Sequence, residues 1–84
     1  MIVGIDIGAS MAKAVALENS EIIGLKSIRT LDTPRPARTL LNLILQATSR
    51  GYGDIERIAV SGGGARLIGD ELLGLPVTKV DEIR

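Results

Sequence analysis

The chain has no cysteine, histidine, tryptophan or phenylalanine, and Tyr52 is its one aromatic residue. Without cysteine there are no disulfides and no thiolate metal sites. Without histidine there are no imidazole ligands and no His-based catalysis, which leaves carboxylates, lysine, hydroxyls or a bound metal to do any chemistry. The scarcity of aromatics argues against sequence-tolerant binding of single-stranded nucleic acid, which relies on stacking platforms. An excess of either charge is absent too: ten basic and ten acidic residues give a formal net charge of zero, so nothing steers the chain toward nucleic acid or an anionic membrane. The small local excess at Lys26, Arg29, Arg35 and Arg38 reads as a solvated loop. No apolar run approaches the roughly 18 residues that a membrane span requires. Asp6 interrupts the N-terminal apolar stretch, against a signal peptide. A cytoplasmic protein that binds neither membrane nor nucleic acid is expected.

What is present is enough for one small domain. The 84 residues are 45% apolar and 24% charged, a composition that folds rather than stays disordered, with Leu, Ile, Val and Ala filling the core. Ile2 to Ile7 reads as a buried strand and Lys13 to Leu17 as a second after a tight turn. Glu18-Asn19-Ser20 reads as another turn, and Glu21 to Arg29 as a third strand, giving an antiparallel meander. Thr33 is placed to cap a helix with Pro34 at its first position. Ala37, Leu40, Leu41, Ile44, Leu45 and Thr48 then recur at helical spacing. Gly51 suits the left-handed residue past the helix end, followed by a Tyr52 contact. Arg57 to Val60 is a strand, Ser61 to Ala65 a glycine turn, and a short helix runs through Leu73, stopped by Gly74 and Pro76. Val77 to Val80 is a last strand. A strand, a crossover helix and a strand imply parallel pairing in the second half, hence a mixed sheet with helices packed on it in an α/β arrangement, order βββαβαβ.

Two segments carry chemistry. In Ile5-Asp6-Ile7-Gly8-Ala9-Ser10-Met11-Ala12-Lys13 a carboxylate interrupts a strand, where it is costly unless paired, metal-linked or at a cleft. Small residues then let backbone amides approach a ligand. A carboxylate, open amides and an ammonium suit a phosphate chain with magnesium. The plainer alternatives are a satisfied carboxylate at a strand end and an edge-strand lysine that blunts aggregation. In Ser61-Gly62-Gly63-Gly64-Ala65, three consecutive glycines cost backbone entropy that an ordinary turn seldom bears, although a plain flexible turn is the simpler reading.

The first segment resembles the first phosphate-binding motif of the actin, heat-shock-chaperone and sugar-kinase (ASKHA) superfamily, roughly D-x-G-G-T, two residues, then K. The element order is similar to the N-terminal ribonuclease H-like subdomain of that two-lobed fold. Ala59 to Ala65, together with Lys79-Val80-Asp81-Glu82-Ile83, resembles the T-G-G-G-A turn and V-D-E strand end of type II (eukaryotic-type) pantothenate kinases. The BadF/BadG/BcrA/BcrD-type ATPases have related segments. The resemblance spans nearly the whole chain but only the first fraction of such a kinase. It implies a single N-terminal subdomain over residues 1–84, a fragment of a longer protein.

By that resemblance Asp6 organises magnesium beside the transferred phosphate. Gly8, Ala9 and Ser10 wrap the phosphates, Lys13 pairs with phosphate oxygens, and Ser61, Gly62, Gly63 and Gly64 line the cleft. Glu82 is implied as general base on a substrate hydroxyl; on its own it reads as a solvated carboxylate near a chain end. The departures are Ala9 for glycine, Ser10 and Ser61 for threonine, and Arg84 where those kinases often have aspartate. The expected cofactors are ATP and Mg2+, and the expected reaction is phosphoryl transfer from ATP to a small-molecule hydroxyl, with these residues inactive alone. The other readings are a BadF-type ATPase or activator, against which the absence of cysteine for an iron–sulfur cluster weighs, and a non-enzymatic structural or assembly module. Uncovered apolar surface is expected to make the isolated chain self-associate as a homo-oligomer.

Overall fold

A computed structural model of the chain describes residues 1–63, 71–72 and 75–79. Three strands open it: β1 (Ile2–Ile7), β2 (Met11–Glu18) and β3 (Glu21–Arg29). Helix α1 (Pro36–Thr48) follows, then β4 (Arg57–Ser61), β5 (Glu71–Leu72) and β6 (Leu75–Lys79). The strand order is β3-β2-β1-β4-β6, with the two-residue β5 at the edge beyond β6. β1–β2 and β2–β3 are antiparallel, whereas β1–β4 and β4–β6 are parallel. The mixed sheet expected from the element order is therefore present.

One face of the sheet is covered by α1. Val3, Ile5 and Ile7 of β1, Ala12, Ala14 and Ala16 of β2, and Ile58 and Val60 of β4 are buried there against Ala37, Leu40, Leu41, Ile44 and Leu45. Strict alternation in the strands and the helical repeat in α1 place these residues on facing surfaces. The helix comes down closest over β2 and β3, where the residues are small. A Cβ on Gly24 would lie 2.8 Å from Thr48 Cγ2 and 3.6 Å from the Ile44 side chain. The alanines and Gly24 thus set how near α1 can lie.

The helix ends differ from the expectation. The first helical residue is Pro36, not Pro34, and the N-cap position, Arg35, makes no side-chain cap hydrogen bond. Thr33 acts locally instead: its Oγ1 accepts from the Arg35 N–H at 3.2 Å and pairs with Thr39 Oγ1, also at 3.2 Å. Proline fits at Pro36 because the first turn requires no N–H from it. At the other end the left-handed residue is Ser49 (φ 56°), not Gly51. Ser49 N–H donates to Gln46 O and Arg50 N–H to Leu45 O, at 3.3 and 3.1 Å, the paired bonds of a Schellman ending. A hydroxyl residue accepts the strained conformation because those bonds satisfy the last carbonyls. Tyr52 is largely exposed and its hydroxyl donates to Asn42 Oδ1 at 3.0 Å, so it contributes a polar tie rather than the apolar contact expected of it.

The expected helix through Leu73 is also corrected. Its start falls in residues 64–70, outside the described residues, but Glu71 and Leu72 form β5, antiparallel to β6 with Leu72 opposite Leu75. Pro76, read with Gly74 as a helix stop, pairs with Glu71 in that ladder instead; Gly74 lies outside the described residues. β6 also begins earlier than expected, at Leu75.

The chain start is tied down: the Met1 ammonium donates to Asp54 O at 3.0 Å and pairs with Glu56 at 2.9 Å. Across the β2–β3 hairpin Glu18 faces Glu21, a like-charged cross-strand pair that disfavours the hairpin. Arg50 offsets it through a two-pronged ion pair with Glu18, and the hydrogen bonds from its guanidinium hold the Glu18 carboxyl below the usual glutamate range.

The same hairpin turns through Asn19 (φ 53°) and Ser20 (φ 68°). Two consecutive positive φ values mark a type I′ turn, for which Asn-Gly is the favoured pair. Ser20→Gly removes the Cβ penalty at the second position, and thermal denaturation is expected to show a gain of about 0.5–1 kcal/mol.

Candidate functional site

Asp6 is the sixth residue of the chain and the fifth of β1, between two buried isoleucines, yet it is exposed. Alternation gives the reason. Ile5 and Ile7 face α1, so Asp6 projects from the opposite, uncovered face of the sheet. The antiparallel register sets Lys13 directly across from it on β2, and the parallel register sets Ser61 directly across on β4. Ser61 Oγ donates to Asp6 Oδ1 at 3.3 Å, while no ion pair joins Asp6 to Lys13 among the described residues. All three border one shallow depression of about 380 Å³ on the open face, lined also by Gly4, Val15, Leu25 and Ala59.

Both glycine turns follow the carboxyl ends of neighbouring parallel strands, β1 and β4. That end of an α/β sheet is where ligands are usually taken. The turns touch. Gly62 has φ +92°, and a Cβ built on it would lie 2.3 Å from Ile7 O and 2.6 Å from Asp6 Oδ1. Only glycine permits both that conformation and that approach. The first turn is likewise tight: Gly8 N–H donates to Met11 O at 2.9 Å, and a Gly8 Cβ would fall 2.8 Å from that same oxygen. Ala9 and Ser10 are exposed at its tip.

Of the residues singled out from the sequence, Asp6, Gly8, Ala9, Ser10, Lys13, Ser61 and Gly62 are therefore gathered at one end of the sheet. Gly63 follows, exposed, with nothing within 4 Å of a Cβ placed on it, so the demand for glycine falls on Gly62. Gly64 and Glu82 lie outside the described residues. Thr30 was not singled out. Its Oγ1 donates to Gly8 O at 2.8 Å and its N–H donates to Ser10 O at 2.9 Å. A count along the β2–β3 register would have placed it beside Ser10, but only with knowledge of the irregularity between Ala16 and Leu17 that shifts the pairing by one.

Among the described residues no three acidic side chains cluster to cage a metal. A single exposed carboxylate beside a hydroxyl still fits Mg2+, which keeps several waters and takes one or two carboxylates together with substrate phosphate oxygens. The uncovered face also carries exposed apolar side chains, among them Ile2, Ile22 and Leu25, the last 67% exposed. No described helix is long and apolar enough to cross a membrane.

No protein-family profile matches the chain, and no curated protein matches it by sequence. Solved structures match it by shape. One is the activator of the 2-hydroxyisocaproyl-CoA dehydratase from Clostridium difficile with bound ADPNP, at TM-score 0.78 and 22% identity, covering 94% of this chain and 28% of that one. Another is component A of the (R)-2-hydroxyglutaryl-CoA dehydratase of Acidaminococcus fermentans, at TM-score 0.78 and 18% identity, covering 94% and 29%. The chain thus spans less than a third of the length of these structures. Neither is named as a kinase, and the pantothenate kinase expectation gains no support from them. What the likeness establishes is architecture: the chain has the mixed α/β fold of the actin-like ATPases.

Proposed function

We propose that the chain forms the phosphate-binding part of an ATP-dependent protein of actin-like fold, with Asp6 beside Mg2+ and the two glycine turns around the polyphosphate. The observation that carries this reading is the contact of Gly62 with Asp6: a positive-φ glycine pressed against a solvent-facing carboxylate at the carboxyl ends of two parallel strands. The parallel register brings residue 62 beside Ile7, and glycine there leaves close backbone on one side and a carboxylate on the other, which suits a metal-linked phosphate. Lys13 supplies a positive charge across from Asp6, and Ser61 orients the carboxylate through its hydrogen bond.

Magnesium held beside Asp6 would supply neutralisation of phosphate charge. The chain's own residues would hold and orient: Asp6 would hold the ion, the turn amides would receive phosphate oxygens, and Gly62 leaves room for them. In the finer reading the acceptor of the phosphoryl group is water, as in an ATPase that acts as an activator. Its support is likeness to an activator holding ADPNP, an ATP analogue. A kinase transferring to a small-molecule hydroxyl, with Glu82 as base, is supported by the sequence resemblance of residues 59–65 and 79–83. Inorganic phosphate released without an acceptor, against ADP formed only with an added hydroxyl compound that becomes the phosphate ester, separates the two. As part of the same proposal residues 1–84 belong to a longer protein and are inactive alone, since they comprise one wall of a nucleotide cleft.

Asp6→Asn keeps shape and an acceptor for Ser61 but removes the charge. In the intact protein, calorimetric titration with Mg-ATP is expected to show about a 10- to 100-fold loss of affinity, with little change when magnesium is chelated. Unchanged Mg-ATP affinity would overturn the reading. Gly62→Ala is expected to lose about 1–3 kcal/mol of thermal stability and to abolish nucleotide binding, because the added carbon collides with Ile7 O. The isolated chain, its open face uncovered, is expected to sediment as dimers or larger species at high concentration, and a clean monomer would count against that part of the proposal.

A further inference from the structure

The first turn has little of its own to hold it. Its one internal backbone bond joins Gly8 N–H to Met11 O, and Ala9 and Ser10 at the tip are exposed. Polyphosphate recognition by backbone amides needs those N–H groups aimed before the ligand arrives, because aiming them afterwards costs binding energy. The aim comes from outside the turn. Thr30, half-buried where β3 runs out, reaches two of its carbonyls: Oγ1 donates to Gly8 O at 2.8 Å and the backbone N–H donates to Ser10 O at 2.9 Å.

In a trans peptide the carbonyl and the following N–H point opposite ways, and among the described residues there is no cis bond. A Gly8 carbonyl held toward Thr30 therefore turns the Ala9 N–H away from it. Thr30 begins a short 3-10 turn, Thr30–Asp32, that packs against α1. Thr30 continues β3 beside Ser10, and the strand order β3-β2-β1-β4 sets Asp6 and Gly62 on the side of the first turn away from it. We infer that Thr30 is a positioning residue for polyphosphate binding, whose hydroxyl fixes the Gly8–Ala9 peptide so that the Ala9 amide is presented to a phosphate oxygen. The inference rests on the phosphate-binding reading above.

The two bonds divide the labour. The Thr30 N–H bond to Ser10 survives any side-chain change, so the turn stays attached to β3. The hydroxyl bond alone governs the Gly8–Ala9 peptide. Thr30→Ser keeps the hydroxyl and loses the methyl; Thr30→Ala loses both. Their difference isolates the hydrogen bond from packing, and Thr30→Val, isosteric and without a donor, gives an independent check should the smaller side chains unsettle the fold.

The test is amide-resolved NMR of the chain in its full natural length, titrated with Mg2+ and inorganic tripolyphosphate. In the wild type the Ala9 amide resonance is expected to shift on titration. Thr30→Ser is expected to bind as the wild type does, and Thr30→Ala and Thr30→Val about five- to tenfold more weakly, with the Ala9 amide displaced from its wild-type position before ligand is added and the strand resonances of β1 and β4 unmoved. Equal affinity in Thr30→Ser and Thr30→Ala, with Ala9 responding normally in both, would overturn the role of Thr30 and leave phosphate binding standing. No response of Ala9 or Ser10 in the wild type would overturn the phosphate reading itself and this inference with it.

Discussion

Parallel pairing of β1 with β4 is the constraint on which the rest depends. It places Asp6 opposite Ser61 and brings the two glycine turns to the same end of the sheet, although they are more than fifty residues apart in sequence. Beyond the backbone ladder, the apolar burial that supports the pairing is on the covered face. Val3, Ile5 and Ile7 interlock with Ile58 and Val60 under Leu40, Leu41 and Ile44, all fully or nearly fully removed from water. At about 25 cal/mol per Å² of apolar surface buried, a helix face of this kind is the dominant stabilising term in so small a sheet. The open face carries little of that burden. It is free to hold a carboxylate, a lysine and a hydroxyl in one depression without a core to satisfy.

The division between the faces follows from period-two alternation, and this is why so much could be read in advance. β1 and β3 coincide with the sequence-derived limits, and the five buried positions of α1 are those of its helical repeat. Local rules failed where two of them competed. Thr33-Pro34 and Arg35-Pro36 both offer a proline helix start, and packing of Ala37 and Leu40 selected the second. Gly51 is the better left-handed residue, but the apolar repeat ends at Leu45 and Thr48, so the turn had to fall at Ser49. Glu71-Leu72 was absorbed into a helix because a two-residue strand has too few positions to show alternation.

At the site, residue types were legible and relations were not. Asp6, Lys13 and the glycines stand out by spacing, but that Gly62 rather than Gly63 bears the close approach follows from a backbone angle that no composition reveals. Thr30 is harder still. Nothing about a threonine after an alternating strand announces a role, and its place beside Ser10 depends on an irregularity in the β2–β3 pairing.

The line of Ala12, Ala14, Ala16 and Gly24 beneath α1 has a further consequence. The helix rests where side chains have almost no volume to give, so bulk added there would lift the whole layer and part the strands it clamps. Across the sheet, Val15 and Leu25 meet no such ceiling. Larger side chains are therefore accommodated at Leu25, beside the depression, and not at the alanines beneath the helix.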